Sequence, residues 1–299
     1  MSSRYSGRVE ELPAALRLDR YVAEKLGLLT RSQIKARALE GWINGRRAKL
    51  SSPVKNGDLL DLSWAIPEPG ELLPEERALD LLYEDDRVVV VNKPQGMVVH
   101  PGAGNRRGTL ANALLARRLI RGGVGEGFRP GIVHRLDKDT SGVIIAAYDD
   151  ESLVFLAEQF KMRTVRKLYT ALVSGTPPQV EGRIITKISR DSRNRKRFAV
   201  AINQGKIAVS AYRVIRSWGN CSLIALRPRT GRTHQLRVHM AYLGCPILGD
   251  PLYQRDRRLF SGTLMLHAKS LSLVLPGEAE PRTFTSPLPA RFCEFLGKR

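Results

Sequence analysis

The chain has 299 residues, with 49 Lys and Arg against 29 Asp and Glu, a formal net charge of +20. That length suits a small module beside a larger one, and the apolar content is enough for real cores. The longest apolar runs, such as Val88 to Val91, are strand-sized, which excludes a membrane-spanning helix, and the opening MSSRYSGRVEELPAALRLDR lacks the apolar stretch of a secretory signal.

Cys221, Cys245 and Cys293 are scattered and include no CxxC pair, so neither a disulfide frame nor a zinc site is expected and a reducing, cytoplasmic setting is. The charge is uneven. Residues 1–66 carry 12 basic and 7 acidic side chains, residues 67–86 carry 1 and 8, and residues 87–299 carry 36 and 14. An excess of this size points to a polyanion, because each neutralised phosphate releases condensed counterions. Nucleic acid fits better than an acidic membrane surface, since no basic amphipathic helix stands out.

In chain order, residues 1–14 read as a tail and 15–66 as a compact module, helices first and strands after. Leu18, Tyr21, Val22 and Leu26 mark a short helix ending near Gly27. Thr30 or Ser32 can cap a second, through Ile34 and Leu39 to Gly41, with Arg31, Lys35 and Arg37 on its other face. Trp42-Ile43 leads into an Asn44-Gly45 turn followed by Arg46, Arg47 and Lys49. A second turn at Asn56-Gly57 precedes the strand-like Leu59 to Leu62. Residues 67–79, rich in Pro and Glu, read as an acidic linker.

Residues 80–299 form the larger domain. A buried strand is expected at Arg87 to Asn92, a helix capped by Thr109, and a strand at Val143 to Tyr148. Asp150 can cap a helix with Leu153, Leu156, Ala157 and Phe160 on one face. Leu168 to Val173, Ala208 to Ile215 and Cys221 to Leu226 read as strands of a largely antiparallel sheet. Thr233 opens a helix stopped by Gly244.

Three stretches can carry chemistry. GIVHRLDKDTSG (131–142) sets His134, Arg135, Asp137, Lys138 and Asp139 between apolar segments, where a loop or strand end is required. Its Asp-Thr-Ser-Gly run resembles one loop of an aspartic protease, but a second loop to share the proton is missing. The Asp-x-Asp start also resembles a calcium loop, without the Gly and Glu that complete one. RPRTGRTHQLRVH (227–239) offers Arg229, Arg232, His234 and Arg237. His234 and His239 stand five apart, not the four of a helical metal pair, and no metal is expected. A fixed guanidinium such as Arg237 can hold a carboxylate ionised and oriented. In RKLYTALVSG (166–175), Tyr169 follows Arg166 and Lys167 and can stack on a base.

HRLDKDTSG, LYTALVSG and GRTHQLRVH, in this order and spacing, resemble successive motifs of the RluA family of pseudouridine synthases. NKPQGMVVHPGAGNRRGTLANALL (92–115), LMLHAKSL (264–271) and SPLP fit the same pattern. The stretch around His100 to Gly104 looks most like the RluD branch, which acts on large-subunit rRNA. Ser141 stands where that branch often has threonine. The resemblance spans roughly residues 80–290. DRYVAEKLG, SQIKARALEGWINGR and VKNGDLLDL separately resemble an S4 RNA-binding domain over 15–66.

The resemblance implies an α+β protein. A small α/β S4-like module is joined to a pseudouridine synthase catalytic domain with a mainly antiparallel central sheet and a basic cleft. It implies Asp137 as catalytic carboxylate, Tyr169 as the ring stacked on the uracil, and Arg237 as the partner of Asp137. His134 and Arg135 are expected to aid base extrusion. Lys35, Arg37, Arg46, Arg47, Lys167, Arg229, Arg232 and His234 are expected RNA contacts. The implied partner is RNA, most naturally 23S rRNA or the assembling large subunit, with tRNA as the alternative and a non-catalytic RNA-binding or assembly protein as a rival from another class. No cofactor is called for, because the isomerisation is redox-neutral. The expected protein is a monomer that binds no membrane. Asp137 could act at C1′, at the C2′ proton or at C6.

Overall fold

The computed structural model describes residues 2–29, 34, 38–65, 72–102, 105–120, 131–254, 260 and 262–297. Two compact units divide the chain, Met1–Glu71 and Leu72–Arg299.

In the first unit, strand β1 (Ser2–Arg8) is followed by β2 (Leu16–Arg17) and α1 (Leu18–Arg20), which widens into a π-type turn (Tyr21–Lys25). Then come β3 (Glu40–Ile43), β4 (Arg46–Ala48), β5 (Pro53–Val54) and β6 (Leu59–Ala65). One sheet runs β1-β6-β3-β4, and β2 pairs β5. Leu18, Val22, Ile34, Leu60 and Leu62 are buried in one cluster beneath it. The Asn44-Gly45 turn takes the positive φ expected of that pair. The expected N-terminal tail is instead β1, antiparallel to β6 from Ser2↔Ala65 to Arg8↔Leu59. Most of the expected second helix, with Arg31, Lys35 and Arg37, lies outside the described residues, and Gly41 already belongs to β3.

The second unit contains β7 (Leu81–Glu84), β8 (Val88–Lys93), α2 (Leu110–Ile120), β9 (Gly131–Ile132), β10 (Ser141–Ala147), α3 (Asp150–Met162), β11 (Arg166–Ser174), β12 (Glu181–Arg190), β13 (Phe198–Ala201), β14 (Lys206–Trp218), β15 (Cys221–Pro228), α4 (Gln235–Tyr242), β16 (Leu266–Val274), β17 (Pro281–Thr285) and α5 (Ala290–Gly297). Its sheet runs β13-β12-β14-β15-β11-β16-β10-β8-β7, with β17 on β16 and β9 on β10. The described pairings are antiparallel except β10–β16, where Ser141 faces His267 and Gly142 faces Ala268. Gly142 has φ +114°, and a Cβ there would sit 2.2 Å from the Ala268 carbonyl oxygen. Only glycine lets the two strands approach so closely.

Both faces of this sheet are covered, which is why β8 reads as unbroken valine. Val88 and Val90 pack with Leu156 of α3 on one face. Val89 and Val91 pack with Leu110 and Leu114 of α2 on the other. Asp149, not Asp150, caps α3 by accepting from Ser152 N at 2.8 Å, and Ala157 is exposed. Among the described residues no helix is long and apolar enough to cross a membrane.

Candidate active site

Asp137 lies in the loop from β9 to β10. Thr140 N donates to the Asp137 carbonyl at 3.1 Å and closes the turn. The segment before α2 holds this loop by its carbonyls. Gly96 N and the Lys93 ammonium both donate to Lys138 O, at 2.9 and 3.1 Å. Gln95 Nε2 donates to the carbonyls of Asp139 and Leu264, at 2.8 and 2.9 Å. Lys93 is fully buried and gives its other two protons to Pro94 O and Met97 O. Three donors meet three acceptors, which is what makes a buried ammonium tolerable. Burial pulls its pKa down to about 8, against the opposing charges of Asp139 and Asp137.

Arg237 reaches Asp137 from α4. Its Nη1 donates to Asp137 Oδ2 at 3.2 Å. Behind it, Nε and Nη2 donate to the two oxygens of Asp250 at 2.7 and 2.8 Å, in the bidentate geometry that fixes a guanidinium plane. Asp250 is fully buried and also accepts from the backbone N–H of Leu252 and Tyr253. Burial works against the Arg237 charge. The hydrogen bonds and charge of Asp250, joined by Asp137, outweigh it and raise its pKa.

Tyr169 stands half-buried in β11 between two cores, near enough to feel Asp137. Burial, then the Asp137 charge, pushes its phenol up, so the hydroxyl stays protonated. A bulge in the neighbouring strand β16 lies beside it. Leu168 pairs with Ser270 but Tyr169 pairs with Ala268, leaving Lys269 as the extra residue on β16. Lys167 reaches toward Phe160 and the core beneath α3, whereas Tyr169 packs with the two other cores. Its ammonium stands 6.0 Å from the centre of the Phe160 ring, and burial lowers its pKa. Lys167 was expected to contact RNA, and its ammonium is largely buried against α3.

His134 needs a correction. It accepts from Ile145 N at 3.1 Å and stacks on Phe160 at 4.7 Å, so it packs the loop against α3 and does not point into the cleft. Burial holds its pKa near 3, leaving the ring a neutral acceptor. Arg135 is exposed, and its charge reaches His234. The helix starts at Gln235, with His234 ahead of it at φ +55°. That twist brings His234 Nε2 to 3.9 Å from Asp137 Oδ2 while Nδ1 meets Tyr253 Oη at 3.0 Å. Burial lowers the His234 pKa, against the charge of Asp137.

Arg229 is exposed, and Arg232 donates to Ile207 O at 3.0 Å. In the first unit Arg46 is exposed and Arg47 pairs with Glu40. Lys35 and Arg37 lie outside the described residues. Among the described residues no group of three or more His, Cys, Asp or Glu could hold a metal.

A family model described as RNA pseudouridylate synthase matches residues 87–242. A protein of Borreliella burgdorferi, called Ribosomal large subunit pseudouridine synthase D, is 45% identical over 94% of this chain and 89% of that protein. The chain belongs to the RNA pseudouridine synthase family, in its RluA group. It is an isomerase, and RNA is its substrate. A Zymomonas mobilis protein of the same name as the Borreliella one is 38% identical over 91% of this chain and 90% of its own length. The solved structure of Human RNA Pseudouridylate Synthase Domain Containing 4 superposes with a TM-score of 0.60 at 28% identity, over 73% of this synthase and 92% of the human chain.

The matched span holds Asp137, Tyr169 and Arg237 but ends short of Asp250. Sequence reasoning missed Asp250, Tyr253 and Lys93. The signal for Asp250 was a lone acid in the apolar run Ile247 to Tyr253. The glycine before it has φ +73°, and a Cβ there would clash with Thr263 O at 2.1 Å.

Proposed function

We propose that this synthase isomerises uridines of large-subunit ribosomal RNA, with Asp137 as the catalytic carboxylate. The observation that carries the assignment of Asp137 is the 3.2 Å contact from an arginine that Asp250 fixes from behind. The reaction breaks N1–C1′, turns the uracil and joins C5 to C1′; the proton from C5 leaves to solvent and the freed N1 takes one up. A carboxylate at the ribose–base junction serves this at C1′, at the C2′ proton or at C6.

The target uridine must leave its stack, at a cost of about a few kcal/mol. Tyr169 is the surface that receives the uracil, and stacking returns about 1–3 kcal/mol. Its protonated hydroxyl leaves the ring uncharged beside Asp137. Arg135, exposed and adjacent, is the residue suited to fill the vacated stack.

The ribosomal assignment draws on the similarity to two proteins named for the large ribosomal subunit, each matched along about nine-tenths of its length. The first unit, with its S4-like motifs and a basic excess, is read as a second RNA-binding module. Three cysteines in no disulfide suit a reducing cytoplasm.

The test is Asp137→Asn on an unmodified 23S rRNA transcript, scored by tritium release from C5-labelled uridine. Turnover is expected to fall about a thousandfold or more with RNA affinity within about threefold. Near wild-type release would remove Asp137 from this role.

A further inference from the structure

A second recess begins two side chains away from Asp137. It has a volume of about 380 Å³ and lies between the β12–β13 hairpin, the start of β14 and the turn before α4. Among the described residues three cations line it, Arg190, Lys206 and Arg232, and no carboxylate does. Phe198 supplies an apolar wall. Asp191 of the same hairpin spends its Oδ1 on the backbone N–H of Arg193 and Asn194, at 2.8 and 3.2 Å.

The two guanidiniums are held in place. Arg190 donates to Arg195 O at 2.8 Å and lies over the Phe198 ring at 5.3 Å. Arg232 is fixed by its bond to Ile207 O. Each keeps N–H donors beyond the one that the backbone carbonyl takes. Side chains link the recess to the catalytic loop. Phe198 meets His234 edge-on at 5.6 Å, and His234 Nε2 lies 3.9 Å from Asp137.

We infer that this recess is a docking site for the sugar–phosphate of a nucleotide flanking the target uridine. The inference rests on the assignment of Asp137 to the reacting nucleotide. A uridine everted onto Asp137 stays covalently joined to its neighbours, so their phosphates pass within a nucleotide or two of the carboxylate. A recess with three cations, no lining acid and one aromatic wall matches a phosphate joined to a ribose and base. The hairpin segment 189–200, SRDSRNRKRFAV, is itself rich in arginine and presents Arg190 and Phe198 from its two ends.

The test uses the full-length protein and an unmodified 23S rRNA transcript. Arg190→Gln with Lys206→Gln changes two side chains outside the catalytic group. The expected result is a KM raised on the order of tenfold, kcat within about twofold, and a slope of log affinity against log salt reduced by about one for each lost contact. The charge-preserving pair Arg190→Lys with Lys206→Arg should retain the salt slope, which a merely structural role would not predict. A wild-type KM and salt slope in the double Gln variant would overturn the proposal. So would a fall in kcat at unchanged KM.

Dissociation constants measured in the Asp137→Asn background separate this site from the functional reading. If wild-type protein modifies no uridine of 23S rRNA, the substrate assignment fails. The Gln variant's loss of RNA affinity still decides whether the recess holds a phosphate.

Discussion

The Asp137–Arg237–Asp250 corner and the β12–β13 hairpin both carry arginines, used in opposite ways. In the corner, Arg237 is 5% exposed and its plane is fixed by two bonds to a fully buried acid. In the hairpin, Arg193, Arg195 and Lys196 stand in solvent. A charge locked in low dielectric acts strongly on one neighbour and is costly to disturb. A solvated charge acts weakly on many and is screened by salt. On the proposed reading, the corner is expected to set rate and local stability, and the hairpin affinity.

The largest expected effect is at Asp250. Asp250→Ala leaves a buried guanidinium without its main partner, so stability should drop by about 3–5 kcal/mol, read by urea denaturation. Asp250→Asn keeps the shape. It should cut kcat by about a hundredfold or more, because Arg237 is no longer aimed at Asp137. An Asn variant with normal kcat would mean that the corner needs no second acid.

Tyr169 comes next. Tyr169→Ala should reduce kcat/KM by about 5- to 150-fold, the equivalent of one lost stack, and Tyr169→Phe by much less. Equal losses in both would shift the role from ring to hydroxyl.

Acid then separates the two regions further. Burial holds His134 near pKa 3, and His239 and His267 near 4. The unfolded chain binds these protons from about pH 6.5 downward while the native state refuses them. Stability should thus be full above that pH and fall between about 6.5 and 4, by about 1 kcal/mol per pH unit for each histidine. Arginines do not titrate there, so the salt slope of RNA binding, measured where the protein is folded, should not change. The smallest effect is expected from Arg193→Gln with Arg195→Gln: a shallower salt slope and unchanged kcat.

Much of this was legible in the sequence, and the gaps have physical causes. Asp137 and Arg237 are a hundred residues apart, yet each sits in a polar run between apolar segments, which marks a strand end or a helix start. Asp250 has no such setting, and only the packing explains an acid there. For Lys167 the sequence shows a cation in a strand but not that its long side chain runs back to Phe160 of α3. His134 was misread because a polar residue in a functional loop need not face the function. Strand β1 was taken for a tail because SSRYSGR shows no apolar alternation; pairing with β6 supplies what its composition does not.

Two carboxylates share one guanidinium, so the trio Asp137, Arg237 and Asp250 carries one more acid than base. An RNA phosphate is expected to be held by the cations of the recess and repelled by that surplus acid. On the proposed reading, that arrangement is expected to favour entry of the uncharged glycosidic junction over the phosphates.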